Sequence, residues 1–344
     1  MTHLYHRDWK PPSLLAHVGD ISQLGGVRLV MLDDGSERGV RAAELRSGEG
    51  FNFTVLLERG MDIGHAEYRG VPLAWISPTG AAAPQFYEPR GTGWLRTFHG
   101  GLLCTCGLTQ AGIPNTDQGE ELGLHGRISH VPARQVAWDG TWEDREYRFW
   151  ISGQMREVSA LGRDLRLKRH ISMTLGQPSL TIHDRVENHG YETTPHMLLY
   201  HFNLGFPLLS ENSRLEVDSI AVEPRDPTAA SGLGKYMRFE APTPGYAEQV
   251  FFHKVSADEE GFAQVSLVNP DLGLKLQLRY RQRELPELVE WKQVGQGAYV
   301  VGLEPANCRP EGRAAARQRG RLVELAPGEA LDYLLEIKVL SFTT

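Results

Sequence analysis

Between residues 134 and 187 apolar and polar side chains alternate in short runs, and this two-residue period constrains the fold more than any other feature of the chain. The runs RQVAW, EYRFWIS, RDLRLKRHISMTL and SLTIHDRVEN are separated by turns that contain glycine. Successive side chains of a strand point to opposite faces, so the pattern reads as an antiparallel meander with one face buried. Within DLRLKRHISM, Leu165 and Leu167 take the buried face and their charged neighbours the solvated one. Runs of the same kind recur at VRLVML (27–32), RLEVDSIAV (214–222), LGLKLQLRY (272–280) and ALDYLLEIKVL (330–340). No stretch carries a long helical period, a heptad, a P-loop, a dinucleotide-type glycine fingerprint or a convincing repeat. Fifteen or more strands joined by Gly/Pro turns predict an all-β fold, a large antiparallel β-sandwich. Sandwiches often exceed 200 residues as one unit, so residues 1–344 are expected to form a single domain with its core over about 25–340.

Composition removes several function classes. The chain has 36 basic and 43 acidic residues, a formal charge of -7, and no basic stripe, which argues against nucleic acid as a partner. Cys104, Cys106 and Cys308 make neither a disulfide framework nor a CxxC metal spacing, and free thiols fit a reducing compartment. The opening MTHLYHRDWKPPS has no apolar signal core, and no apolar run approaches membrane length. The expectation is a cytoplasmic protein without a membrane partner. Its oligomeric state is open, with a homodimer among the options.

Three polar interruptions of apolar strands stand out. LLYHFNLGFPLL (198–209) places His201 and Asn203 in a strand that breaks at Gly205 and Pro207. GLEP puts Glu304 at the end of the apolar run AYVVGL, and GLHGR delivers His125 from a polar loop over 109–124. A buried imidazole or amide costs free energy unless it is partnered, so His201 is either a satisfied core histidine or part of a site. The company of His125 and Glu304 favours a site. In LERGMDIG, Arg59 or Asp62 either flanks a turn or reaches a polar ligand from the sheet's edge. Trp291 and Lys292, in LPELVEWKQVG, form sugar-stacking equipment or an amphipathic edge. The five arginines of 309–321 read as a solvated loop.

The set LERGMDIG, FHGGLLCTCG, GLHGR, LYHFNLGFP and GLEPANCRPEGR resembles the aldose 1-epimerase (galactose mutarotase) family, and looks most like an uncharacterised branch of it. The likeness runs from about residue 25 to 340 and rests on the order and spacing of these motifs. It implies a large β-sandwich. Glu304 matches the family's catalytic glutamate, and His125 the histidine of its His-Gly motif. The family's acid histidine stands four places before the Asn of a Phe-Asn-Leu run, which here is Leu199. His201 lies two places further on, and so keeps the same strand face, whereas His196 points to the other. FHGG resembles an Arg-Gly-Gly element of the hexose-phosphate branch, with His99 standing where that branch has arginine.

What the resemblance implies is a mutarotase that interconverts the α and β anomers of a sugar. Ionised Glu304 would take the proton of the anomeric hydroxyl and protonated His201 would give one to the ring oxygen. His125 would stabilise that oxygen, and Arg59, Asp62, Asn203, His99, Trp291 and Lys292 would contact the sugar. The chemistry calls for no cofactor and no metal. A non-catalytic carbohydrate-binding or sensor protein on the same fold is the alternative. A glycosidase would need paired carboxylates, and only Glu304 is well placed. A cupin-like metal site would have to draw on His99, His125 and His201, none of which stands at His-x-His spacing.

Overall fold

The computed structural model describes residues 1–343. The meander forms as its alternation requires. Arg134–Glu143, Glu146–Val158, Asp164–Thr174 and Ser179–Asn188 pair in order, each antiparallel to the last. Ala330–Ser341 continues this eight-stranded sheet, followed by Leu274–Arg281, Phe262–Asn269 and Arg214–Val217. A twelve-stranded sheet faces it. At its centre, Thr194–Gly205 lies between Ala298–Ala306 and Leu103–Leu108. Glu287–Gly295 and Gln249–Val255 continue it on one side, Asp62–Tyr68 and Phe51–Leu56 on the other. The fold is therefore a large antiparallel β-sandwich. No helix among the described residues is long and apolar enough to cross a membrane.

The main apolar cluster runs between the sheets and draws on both, from Leu165, Leu167 and Ile171 on one side to Leu198, Tyr200 and Phe202 on the other. One member of the inward face departs from the pattern. Arg169 shares that face with Leu167 and Ile171 and is buried. Its guanidinium donates to both oxygens of Asp184, at 2.9 Å from Nε and 2.7 Å from Nη2, and reaches Asp62 Oδ1 at 3.3 Å. Tyr200 donates to Asp184 Oδ2 at 2.8 Å. Asp184 and Arg169 belong to the smaller sheet, Asp62 and Tyr200 to the larger, so this charged cluster spans the sandwich.

The arginine-rich segment 309–321 is not a solvated loop. Arg313–Gln318 form a short helix, and Arg313 is buried, donating to Asp117 Oδ2 at 2.8 Å and Glu120 Oε2 at 2.6 Å. Arg317 joins it on Asp117. Both carboxylates come from a hairpin, Asn115–Asp117 with Glu120–Leu122, inside the stretch that the sequence presents as a polar loop. The sequence reads as a polar loop over 109–124 and a solvated, arginine-rich loop over 309–321, with AAA its only helical hint. Each is instead the other's counter-ion, and together they hold Gly112 and Ile113 against Pro310.

Candidate active site

The central strand places His201 opposite Cys104, and Glu304 stands one strand over, where Asn203 pairs with Gly302. Both side chains point to the face away from the main core. His201 Nε2 lies 3.1 Å from Glu304 Oε1, and both residues are nearly closed off, at 5% and 3% exposure. They form the floor of a cavity of about 730 Å³. Phe98 and Trp291 flank the His201 ring at 5.4 Å and 5.3 Å between centroids.

Gly302 makes this proximity feasible. A Cβ there would sit 2.6 Å from Glu304 Oε1 and 3.2 Å from His201 Cε1. Gly302→Ala is accordingly expected to force the carboxyl and imidazole apart. Any proton transfer between a bound molecule and this pair should slow at least about tenfold, because it demands hydrogen-bond reach. The denaturation midpoint should stay close to that of the parent protein, and a matching fall in stability would mean that the glycine serves packing alone.

His125 reaches the same cavity from a loop with left-handed backbone, φ 56° at His125 and 71° at Gly126. Glycine is required next to it, since a Cβ at 126 would lie 2.4 Å from Gln110 O and 2.5 Å from Gly107 O. Gly112 N donates to His125 Nδ1 at 3.4 Å, which leaves Nε2 to carry the ring proton. The ring stands 6.0 Å from that of His201 and 4.7 Å from that of Trp94.

Burial governs the charges. It lowers the His201 imidazole to about 3, the neighbouring His125 adding to the effect, and lowers His125 itself to about 4. Burial pushes the Glu304 carboxyl well above its usual range, with the charge of Glu248 acting in the same direction and Arg225 opposing it. Enclosure therefore works against both the carboxylate and the imidazolium. The sequence reading had the carboxylate ionised and the imidazole charged. Enclosure opposes both of those charges.

Trp291 also lines the cavity, its indole N–H donating to Glu248 Oε2 at 2.7 Å while Arg225 Nη1 holds Glu248 Oε1 at 2.9 Å. The other residues singled out in the sequence lie elsewhere. Arg59 is fully buried and donates to the carbonyls of Ser129, Ala82 and Thr97, with His99 Nδ1 at 3.3 Å from Nη2. It fastens the loops behind Trp94, Phe98 and His125. His99 is packed against it, and burial together with the charge of Arg59 drives its basicity well down. Asp62 accepts from Thr105 N and Oγ1 within the cross-sheet cluster. Asn203 donates to the carbonyls of Gly100, Gly101 and His201, bracing the loop beside the site. Lys292 points to the opposite face of its strand, where it binds Arg238 O and Glu240.

Sequence reasoning missed the aromatic walls Trp75, Trp94 and Phe98, and the Arg225–Glu248 pair. Large aromatics inside the Gly-rich segment GTGWLRTFHGG were a usable signal, because loops seldom bury such rings without purpose. The Arg225–Glu248 contact joins two ends of a long loop and left no mark in spacing. Among the described residues, no group of three or more His, Cys, Asp or Glu side chains is placed to hold a metal ion.

The architecture is that of the galactose mutarotase-like proteins. A crystal structure of a Klebsiella pneumoniae protein described as a candidate aldose 1-epimerase matches with a TM-score of 0.88 at 26% identity, covering 93% of this chain and 86% of that one. A galactose mutarotase-like protein from Clostridium acetobutylicum shares the fold at TM-score 0.67 and 12% identity, over 93% of this chain and all of that one. Galactose 1-epimerase from Lactobacillus acidophilus NCFM does so at TM-score 0.58 and 13% identity, over 92% and 99%. The chain belongs to the family described as a domain of unknown function (DUF4432), which matches residues 37–339. No curated protein matches it.

Proposed function

We propose that the protein is an aldose 1-epimerase that interconverts the anomers of a sugar by acid/base ring opening. The observation that carries this reading is the 3.1 Å approach of Glu304 and His201 on the floor of an aromatic-walled cavity. The likeness to the Klebsiella pneumoniae protein described as a candidate aldose 1-epimerase supports it.

The proton stoichiometry suits the reaction. Transfer of the pair's one proton from Glu304 to His201 produces the carboxylate and imidazolium that ring opening uses. Glu304 takes the anomeric O1 proton, the C1–O5 bond breaks, C1–O1 becomes a carbonyl, and His201 protonates O5. The pair again holds one proton, now on Glu304. Rotation about C1–C2 exposes the other face of the carbonyl, and the same steps reversed close the ring as the other anomer. The His125 Nε2–H stabilises O5 as charge gathers on it. No external proton donor or redox partner enters the balance.

NMR saturation exchange between the anomeric protons of a sugar panel, with and without protein, tests the reading. Exchange above the spontaneous rate is expected for at least one sugar and should fall by about 10²–10⁴-fold in Glu304→Gln. A protein that binds sugars yet accelerates no exchange is a carbohydrate-binding module on this fold, and the epimerase assignment then fails.

A further inference from the structure

Among the described residues, His201 Nδ1 and Asn203 Oδ1 are enclosed without a hydrogen-bond partner. The two side chains are 5% and 0% exposed, so neither atom turns to water instead. They leave the same face of Thr194–Gly205, being two residues apart on one strand. Asn203 Nδ2 donates to His201 O at 2.9 Å, which turns the amide back along the strand towards the imidazole. Its other bonds, to Gly100 O at 3.2 Å and Gly101 O at 3.1 Å, settle which end of the amide is nitrogen. The remaining end is an acceptor. It lies near enough to the ring to favour the imidazolium, as does the carbonyl of His201 itself.

The other ring nitrogen, Nε2, stands 3.1 Å from Glu304 Oε1. Burial lowers the imidazole to about 3, so near pH 7 the ring is neutral, with one N–H and one lone pair. With the hydrogen on Nε2, the Nδ1 lone pair would face two oxygens that are themselves acceptors. With the hydrogen on Nδ1, both orphaned atoms are satisfied at once. The Nε2 lone pair then faces Glu304, whose carboxyl is held towards its protonated form by burial.

We propose that Asn203 is a positioning residue for His201: its Oδ1 accepts the Nδ1–H, fixes the ring and its tautomer, and leaves Nε2 as the nitrogen through which the proton passes. The part this plays in turnover rests on the epimerase reading of the site; the placement of the hydrogen does not. When the Glu304 proton moves to Nε2, Oδ1 stays on Nδ1–H and supports the imidazolium. When Nε2 gives its proton to O5, the ring returns to the tautomer it started from.

The test is 15N NMR at pH 7 of protein labelled in its histidine rings, with the His201 signals identified by their loss in His201→Gln. His201 should carry its hydrogen on Nδ1. Asn203→Asp keeps an oxygen facing Nδ1 and Asn203→Leu does not, while both lose the bonds donated to Gly100, Gly101 and His201. The difference between them therefore reports on the acceptor. Asn203→Asp should keep the Nδ1–H signature. Asn203→Leu should lose it, with kcat for anomer exchange at least about tenfold below that of Asn203→Asp and KM little changed. The parent spectrum is sufficient should either variant fail to fold. A hydrogen on Nε2 in the parent protein, or equal kcat in the two variants, overturns the positioning role and leaves the epimerase reading standing. An Nδ1–H on His201 in a protein that exchanges no sugar overturns the epimerase reading and leaves the pairing with Asn203 in place.

Discussion

Glu304→Gln is expected to slow protein-dependent anomer exchange by about 10²–10⁴-fold, and His201→Gln by a similar factor. The double variant should be little worse than either single one, because each removes half of one proton circuit. The pH profile distinguishes this from general damage. In the proposed mechanism the active form holds one proton in the pair. As pH falls, activity is lost when the imidazole takes up a second proton, which burial defers to about 3. As pH rises, activity is lost when the carboxyl releases its proton, at a pH well above the usual carboxylate range. A wide plateau is expected, its acid limb set by His201 and its basic limb by Glu304, with both limbs belonging to the coupled pair. The sequence reading assigned the limbs the other way round. Spontaneous exchange, itself acid- and base-catalysed, must be subtracted at each pH. A His201→Gln variant that keeps the parental rate and profile would place the second group elsewhere, with His125 the next to test.

Arg169→Met is expected to cost about 3–5 kcal/mol of stability, read as a drop in the urea midpoint at unchanged slope. The methionine fills a similar volume, so the loss reports on charge. Without the guanidinium, Asp62 and Asp184 remain in a dry interior with Tyr200 and Thr105 as their polar support. Burial already raises Asp62 to about 6 despite Arg169, so removing that opposing charge should raise it further. Adding Asp184→Asn should recover part of the loss, since it removes one of the two uncompensated carboxylates. A fall under 1 kcal/mol would show that the cluster is not what joins the two sheets. The cluster also bears on the site. Tyr200 and Thr105 neighbour His201 and its strand partner Cys104, so the residues that anchor this part of the sheet lie directly behind the floor of the cavity.

How much of this was legible in the sequence depended on whether the signal was local. Alternation from 134 to 187 identified the strands because the strand period is a property of the backbone. The same reasoning separated His201 from His196, and in the structure His196 turns to the opposite side, with its Nε2 2.7 Å from the hydroxyl of Tyr333. Polar breaks in apolar strands and motif order drew attention to His125, His201 and Glu304, and the Trp-Lys pair to Trp291; these four line one cavity. Periodicity fails at Arg169, because it assigns a face and cannot say that a carboxylate waits on the facing sheet. Arg59 and Asp62 were noticed for the right reason, being polar groups at a strand end, but their partners are loop carbonyls and a buried arginine distant in sequence. Lys292 was tied to the site by adjacency to Trp291, although neighbouring residues on a strand face opposite ways. The segments bearing Arg313 and Asp117 read as loops for want of any local sign that these two charges meet.

The position of Ala330–Ser341 has a consequence for how the protein is made. This strand lies in the interior of the eight-stranded sheet, between Ser179–Asn188 and Leu274–Arg281. While residues 330–341 are still untranslated, the meander and the later strands are two separate half-sheets, each with an unpaired edge. Exposed edges recruit other chains, and pairings so distant along the chain form slowly. Joining of the two halves must therefore wait until residues 330–341 have left the ribosome, and a nascent chain halted before residue 330 carries two open edges on which to aggregate.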